Sequence, residues 1–487
     1  MHAMGNVYAI IGLLQFACLL GFAANSTSSQ IAAFPLVVEA HVPWELEGAK
    51  ERIEKYRKGD FKLTIKESSG RSIPAGATYQ IEQTKHAFLF GGSLAADWSV
   101  PAQPWYASFK QLFARLFNYA TINFYWGSHE KIRGKWDYDS APLSSELLKW
   151  AKAQDMVLKG HPLVWHQVVP EWIDDAERDV RAIDRDIRRH VKFLIDQYPE
   201  VDEWDLYNEV PGIVWKDESS GMRRWQTFMG HEMADGRFTS GPGYVTEAIL
   251  EIARASRPEG FYILNHYQHD DPFYHRQIQH CLQVGADVDA IGIQTHMHSV
   301  SQSFSEAALW DMLEVYSQYQ KPIYLSEVSI LSCGRFEDWK GLDAQEKAWQ
   351  QALDQGAAIP TLTSTPQLEA YQAALTRDFY TLAFSHPQVG SITWWSITDL
   401  NPWRGMPAGL LDADGTPKPV YAVLDQLINH EWTTEVDGQL TQENTLSFNG
   451  FYGDYRLRVN LKGYEYLGHF VADAGTAPEI DVVLTRL

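Results

Sequence analysis

From about residue 91 to residue 430 the chain alternates short apolar strands with amphipathic helices, and the strands end in polar residues. Helices are predicted over residues 143–153, 183–197, 244–256 and 367–384. Strands are predicted over 157–160, 203–207, 261–264, 290–293, 323–326 and 391–395. Alternation at roughly 30–60 residue spacing makes a parallel sheet wrapped by helices. The strand count and a length of about 340 residues favour a closed eight-stranded barrel over an open sheet. No glycine-rich phosphate or dinucleotide fingerprint follows any of these strands, which also argues against the open form. The expected fold class is α/β, a (β/α)8 TIM barrel with small β-rich appendages at both ends.

The flanks have a different texture. Within residues 25–90, a charged helix over 47–58 gives way to alternating strands at 61–65 and 78–82. Beyond the barrel (91–430), residues 431–487 read as strands at 445–448, 455–461, 464–471 and 480–485. The shared texture suggests that both flanks pack together as one β-sandwich. Residues 7–24 are an uncharged apolar run at the N-terminus. A signal peptide over 1–24, and hence a periplasmic or extracellular location, is expected, with a retained N-terminal anchor as the alternative. Cys18 would leave with it. Cys281 and Cys333 then form either one disulfide or two buried thiols.

Composition narrows the partners. With 41 Lys and Arg against 62 Asp and Glu the net charge is −21, and no basic cluster interrupts it. A nucleic-acid partner is excluded on that ground, and none of the mature chain is expected in a membrane. Eighteen tryptophans suit a protein that stacks flat faces on a ligand.

Function in such a barrel collects where the strands end at their C-terminal tips. There the sequence places Asn208-Glu209, Glu327, His161 to His166, Gln294-Thr295-His296, and Thr398-Asp399 followed by Trp403-Arg404. Two carboxylates in one cleft are what glycoside hydrolysis requires, one protonated and one ionised. His296 and His298 have chelating spacing, and His266 with His269 could mark a cation loop. No third ligand motif accompanies the first pair, and the second reads rather as a solvated loop, so neither a metal nor any cofactor is expected.

Six segments then carry a resemblance: WDLYNE (204–209), GHPLVWH (160–166), IGIQTH (291–296), YLSEVSI (324–330), ITWWSITD (392–399) and GLLDADGTPKPVY (409–421). In order and spacing, over roughly residues 90–428, the chain resembles glycoside hydrolase family 10, the endo-β-1,4-xylanases. The resemblance implies a retaining endo-glycosidase acting on a xylan-type polysaccharide. It implies Glu209 as general acid/base and Glu327 as nucleophile, their carboxyl groups about 5–5.5 Å apart. Asn208 would hold the sugar 2-hydroxyl, and His296 would orient Glu327 with Gln294 nearby. His161, Trp165 and His166 would line the same sugar, between Trp395 and Trp403 as floor and roof. Arg404 and Asn123 complete the expected substrate contacts. Two other readings stand beside this one: the same barrel on a different β-glycan, and a non-catalytic carbohydrate-binding protein on a decayed hydrolase fold.

The chain departs from the family pattern at three points. Where the family places a lysine that grips glycone hydroxyls, this sequence has Tyr125. Where the family favours Thr-Glu-Leu-Asp around the nucleophile, it has Ser326-Glu327-Val328-Ser329. The glutamine after the Trp-His pair stands at Gln167, directly behind it. Trp126, Trp215, Trp225 and Trp339 are candidates for outer sugar sites or loop anchors, and Trp98, Trp105 and Trp150 for barrel packing.

Overall fold

A computed structural model describes residues 36–94, 100–136, 142–229, 242–475 and 479–487. The expected signal peptide, Cys18 and Trp98 lie outside the described residues, as does the side chain of Trp215. Among the described residues, eight parallel strands close into a barrel. They are Leu89–Ser93, Tyr119–Asn123, Val157–His161, Glu203–Asn208, Phe261–His266, Ala290–Ile293, Ile323–Ile330 and Val389–Trp394, numbered here from first to eighth. Each pairs with the next, and the eighth returns to the first through Ser391 opposite Leu89.

The strands are apolar runs because both of their faces are covered. All eight residues of the seventh strand and all five of the second are buried. Helices wrap the outside. The helix Val180–Gln197 starts where Asp179 accepts a hydrogen bond from the Ala182 amide. It buries Ile183, Ile187, Val191 and Leu194 at helical spacing. The helix Pro366–Ser385 begins with Thr365 as cap and Pro366 in its first turn. Gly160, on the third strand, lies where a Cβ would stand 2.2 Å from the Trp204 ring, so only glycine lets these two strands pack.

The lumen is layered. Tyr119, Ile263, Ala290 and Tyr324 pack together as a floor layer, into which the Glu203 carboxyl is set. Above it lies a polar layer built on Lys159 and Asp205, both fully buried and paired at 3.1 Å. The residues at the strand tips sit on top of that.

The two flanking β segments join in a single seven-stranded sheet. Its order is Glu435–Gln439, Thr78–His86, Gly453–Leu461, Tyr464–Ala472, Glu479–Arg486, Lys58–Glu67 and Thr445–Phe451. The expected sandwich of two sheets is therefore one continuous sheet around one core, which includes Phe61, Leu63, Ile81, Phe448, Leu457 and Val482. The reason is pairing. Lys58–Glu67 has C-terminal strands along both of its edges, parallel to Glu479–Arg486 and antiparallel to Thr445–Phe451.

This module closes the barrel floor. The Arg57 guanidinium donates to the carbonyls of Phe384, His386 and Val389, the last opening the eighth strand. Lys85 donates to the Asp155 carbonyl, just before the third strand. Trp432 stacks on Phe384 at 4.3 Å and on Phe90 at 5.7 Å.

A strap runs from mouth to floor. Leu36–Val37 pairs antiparallel with Arg335–Phe336, beyond the tip of the seventh strand. The chain then descends, with His41 against Asp378 at 2.6 Å and the Glu45 and Leu46 amides both donating to Glu306. Cys281 and Cys333 are separate buried thiols, not a disulfide. No helix among the described residues is long and apolar enough to cross a membrane.

Candidate active site

The fourth and seventh strands deliver Glu209 and Glu327 to one mouth. Glu209 is the first residue past the fourth strand and takes a left-handed backbone conformation, φ 58°. Thr295 and Arg404, also at this mouth, share that conformation with φ 57° each. Non-glycine residues rarely adopt it, and each instance costs about 1–3 kcal/mol that the surrounding structure must offset.

A chain of amides links the two carboxylates. Gln294 Nε2 donates to Glu209 Oε1 at 2.9 Å and lies 3.4 Å from Asn208 Oδ1. Asn265 Nδ2 donates to the same Asn208 oxygen at 3.0 Å and to Glu327 Oε1 at 2.7 Å. Ser326 Oγ fixes the Asn265 amide by donating to its oxygen at 2.6 Å. With its oxygen engaged, Asn208 has its N–H2 group left to offer a ligand. Trp165 Nε1 donates to Glu209 Oε2 at 3.1 Å. His296 Nε2 stands 3.2 Å from Glu327 Oε2.

The electrostatics differ between the two acids. Burial pushes both carboxyls above the usual range. For Glu209 the charge of Glu327 adds to that rise, while the Gln294 hydrogen bond opposes it. For Glu327 the opposing influences are positive: His161, then Lys159, then the Asn265 hydrogen bond. His161 sits between the layers, with Nδ1 2.7 Å from Asp205 Oδ2 and Nε2 4.0 Å from Glu327 Oε1. Asp205 is held below the ordinary carboxylate range because Lys159 and His161 outweigh its desolvation. Both carboxyls are raised, but by surroundings of different kinds: a neighbouring carboxylate adds to the rise at Glu209, and His161 and Lys159 oppose it at Glu327.

Aromatic faces enclose the pair. Trp395 packs edge-on against His161 at 5.3 Å, and Trp403 lies 5.1 Å from the His296 ring. Tyr125 stands between His161 at 5.8 Å and Trp165 at 5.5 Å. Asn123 is buried at the tip of the second strand, its Oδ1 without a hydrogen-bond partner among the described residues.

Several expected residues lie elsewhere or act differently. His166 is wholly buried against Tyr207, with neither ring nitrogen hydrogen-bonded, and backs the turn at Gly212 behind Glu209. Gln294 lies beside Glu327 as expected, its carbonyl accepting from the Glu327 amide at 3.1 Å, while its side chain donates to Glu209. Arg404 turns back onto the Trp403 ring at 4.2 Å and pairs with Glu346 at 3.0 Å. Trp126 and Trp225 are buried anchors, Trp105 and Trp150 pack partly buried on the barrel core, and Trp339 is 60% exposed. His266 faces Asp271 at 3.2 Å. Lys159, Asp205 and Asn265 were missed. Their only signal in the sequence was a polar residue at an inward position of an otherwise apolar strand.

Residues 83–426, well over half of the chain, match the profile of glycosyl hydrolase family 10. The chain belongs to that family. It is 26% identical over 304 residues to endo-1,4-β-xylanase A of Caldicellulosiruptor saccharolyticus, covering 58% of this chain and 78% of that protein. It is 23% identical over 348 residues to endo-1,4-β-xylanase B of Thermotoga neapolitana, covering 69% and 86%. Among solved structures, xylanase 10B of Thermotoga petrophila RKU-1, in complex with xylobiose, superposes with a TM-score of 0.54 at 20% identity. That match spans 71% of this chain and 95% of the other. The family 10 barrel is thus common to all of them, and the chain is an O-glycosyl hydrolase.

Proposed function

We propose that this family 10 hydrolase cleaves internal β-1,4-xylosidic linkages of a xylan-type polysaccharide by a retaining double displacement. One observation carries the reading: Asn208 receives amide hydrogens from Gln294 and Asn265, the side chains that grip Glu209 and Glu327. The two acids therefore serve one sugar-sized space. In the first step the Glu327 carboxylate attacks the anomeric carbon, and protonated Glu209 gives its proton to the departing oxygen. In the second, Glu209 takes a proton from water, which displaces Glu327 and restores the starting state. Asn265 and His296 orient the nucleophile. Trp395 and Trp403 supply apolar faces to the sugar ring.

Tyr125 favours a second reading of the glycone side. An aromatic ring wedged between His161 and Trp165 replaces a charged grip on hydroxyls, which suits a different β-glycan. A panel of β-glycans, with product analysis, separates the two. Release of short xylo-oligosaccharides with retained anomeric configuration supports the first. Turnover is expected to vanish in Glu209→Ala and Glu327→Ala, and binding without cleavage in the unsubstituted protein would refute hydrolysis altogether.

A further inference from the structure

Ser329 lies two residues past Glu327 and is fully buried. Its Oγ is 2.8 Å from His296 Nδ1 and 2.7 Å from His298 Nε2. A hydroxyl has one proton to give and lone pairs to accept with, so it donates to one imidazole and accepts from the other. Glu327 decides which. As an ionised nucleophile it can only accept, so the His296 Nε2 beside it carries a hydrogen. A neutral His296 then has a bare Nδ1, toward which the Ser329 hydroxyl points. The hydroxyl oxygen accepts in turn from His298 Nε2–H.

The far end of this relay gives the same direction independently. His298 Nδ1 is buried with no hydrogen-bond partner. In the arrangement just described that atom is a bare lone pair. In the reverse arrangement it would be a stranded N–H, the rarer orphan in folded proteins.

We propose that Ser329 is a positioning residue that holds His296 in its neutral Nε2–H tautomer, so that an uncharged donor orients the nucleophile. The proposal rests on the assignment of Glu327 as nucleophile. The groups around His296 agree with it. Glu327 and Ser329 face it from the seventh strand, His161 from the third, and His298 from its own segment. Trp395, Trp403 and Arg404 face it from the loop after the eighth strand. Burial, the Arg404 cation and His161 push the pKa of the ring down to about 3, so a second proton binds only in strong acid. An aspartate at position 329 would instead stabilise an imidazolium. Beside the uncharged Ser329, however, forming the glycosyl ester removes the charge of Glu327, and an imidazolium would then be left without a counter-ion. A neutral ring avoids that imbalance.

Histidine 15N NMR on the intact enzyme tests this, with the His296 signals assigned by their loss in His296→Asn. One protonated nitrogen, Nε2, and one bare nitrogen are expected across the active pH range. A doubly protonated ring, or an Nδ1–H tautomer, would overturn the proposal. Ser329→Ala is expected to lower kcat by about tenfold with KM little changed, the loss of one hydrogen bond, and Ser329→Thr to restore it. Ser329→Asp is expected to protonate His296 and move the acid limb of kcat/KM to lower pH by about one unit. A Ser329→Ala variant with unaltered kcat and histidine spectrum would overturn the proposal. Failure of the nucleophile assignment shows separately, as turnover persisting in Glu327→Ala.

Discussion

Glu203 opens the fourth strand and points into the barrel floor, 6% exposed, where Tyr119 and Tyr324 donate to its two oxygens at 2.6 and 3.2 Å. Burial outweighs those hydrogen bonds and pushes its carboxyl up to about 7. The folded state therefore keeps a proton that an unfolded glutamate releases near pH 4.5. Stability from this group is fully present below about pH 4.5 and is lost as pH rises through about 7. A difference of about 2.5 units corresponds to about 3 kcal/mol at the upper plateau. The loss is about 1 kcal/mol at pH 5 and about 3 kcal/mol at pH 8, so about 2 kcal/mol disappears between them. Glu203→Gln keeps the shape and an acceptor for one tyrosine but cannot ionise. Denaturant unfolding of both proteins, followed by tryptophan fluorescence at the two pH values, isolates the effect. The raised carboxyls of Glu209 and Glu327 titrate alike in both proteins and cancel in the comparison. The variant is expected to gain about 2 kcal/mol on the original protein between pH 5 and pH 8. Equal pH slopes for the two proteins would show that the floor carboxylate is ionised throughout and would refute the argument.

Gln294→Ala removes the donor that favours the ionised form of Glu209. The basic limb of kcat/KM is expected to move up by about one pH unit, and an unmoved limb would disprove the pairing. Lys418, its side chain wholly buried, pairs with Asp399 at 2.7 Å at the neck of the loop that carries Trp403. Lys418→Met is expected to destabilise the fold by about 3–5 kcal/mol by stranding Asp399, visible in thermal unfolding, and to raise KM as Trp403 loosens. Trp432→Ala, at the joint between barrel and floor module, is expected to cost about 3–5 kcal/mol. Truncation before residue 431 is expected to give insoluble protein, since Lys58–Glu67 and Thr78–His86 would lose their partner strands. A soluble truncated enzyme with an unchanged Tm would contradict the joint.

The barrel was legible because its signal is local. Each strand and helix announces itself by periodicity, and a closed parallel barrel is the arrangement such a series can make. The two acids could be singled out because they sit in recognisable segments, Glu209 just past its strand and Glu327 inside a strand that runs on to Ile330. What surrounds them was not. Asn265 and Lys159 are single polar residues in apolar strands, and alternation shows only that they face inward, not which neighbour they meet. His166 was misplaced for the complementary reason: it adjoins Trp165 in sequence, but the chain turns there and buries the imidazole behind Glu209. That the two flanks pack together was legible in their shared texture, but the strand order was hidden because its pairings join segments about four hundred residues apart, as with Lys62 and Glu479, whose separation is 417 residues. Local texture carries no record of a partner that distant. The cysteines are the simplest case: two thiols permit a bond, but only their positions in space decide it.

That seven-stranded sheet makes the catalytic barrel a guest within a host. Lys58–Glu67 is translated early, yet both of its neighbours emerge only after the entire barrel has been made. The nascent strand must therefore wait, its edges unsatisfied, through the production of the enzyme proper. The two folding events are consequently tied in order, barrel first and host last. Fraying at either flank of the molecule would then be felt at the same seam beneath the catalytic centre.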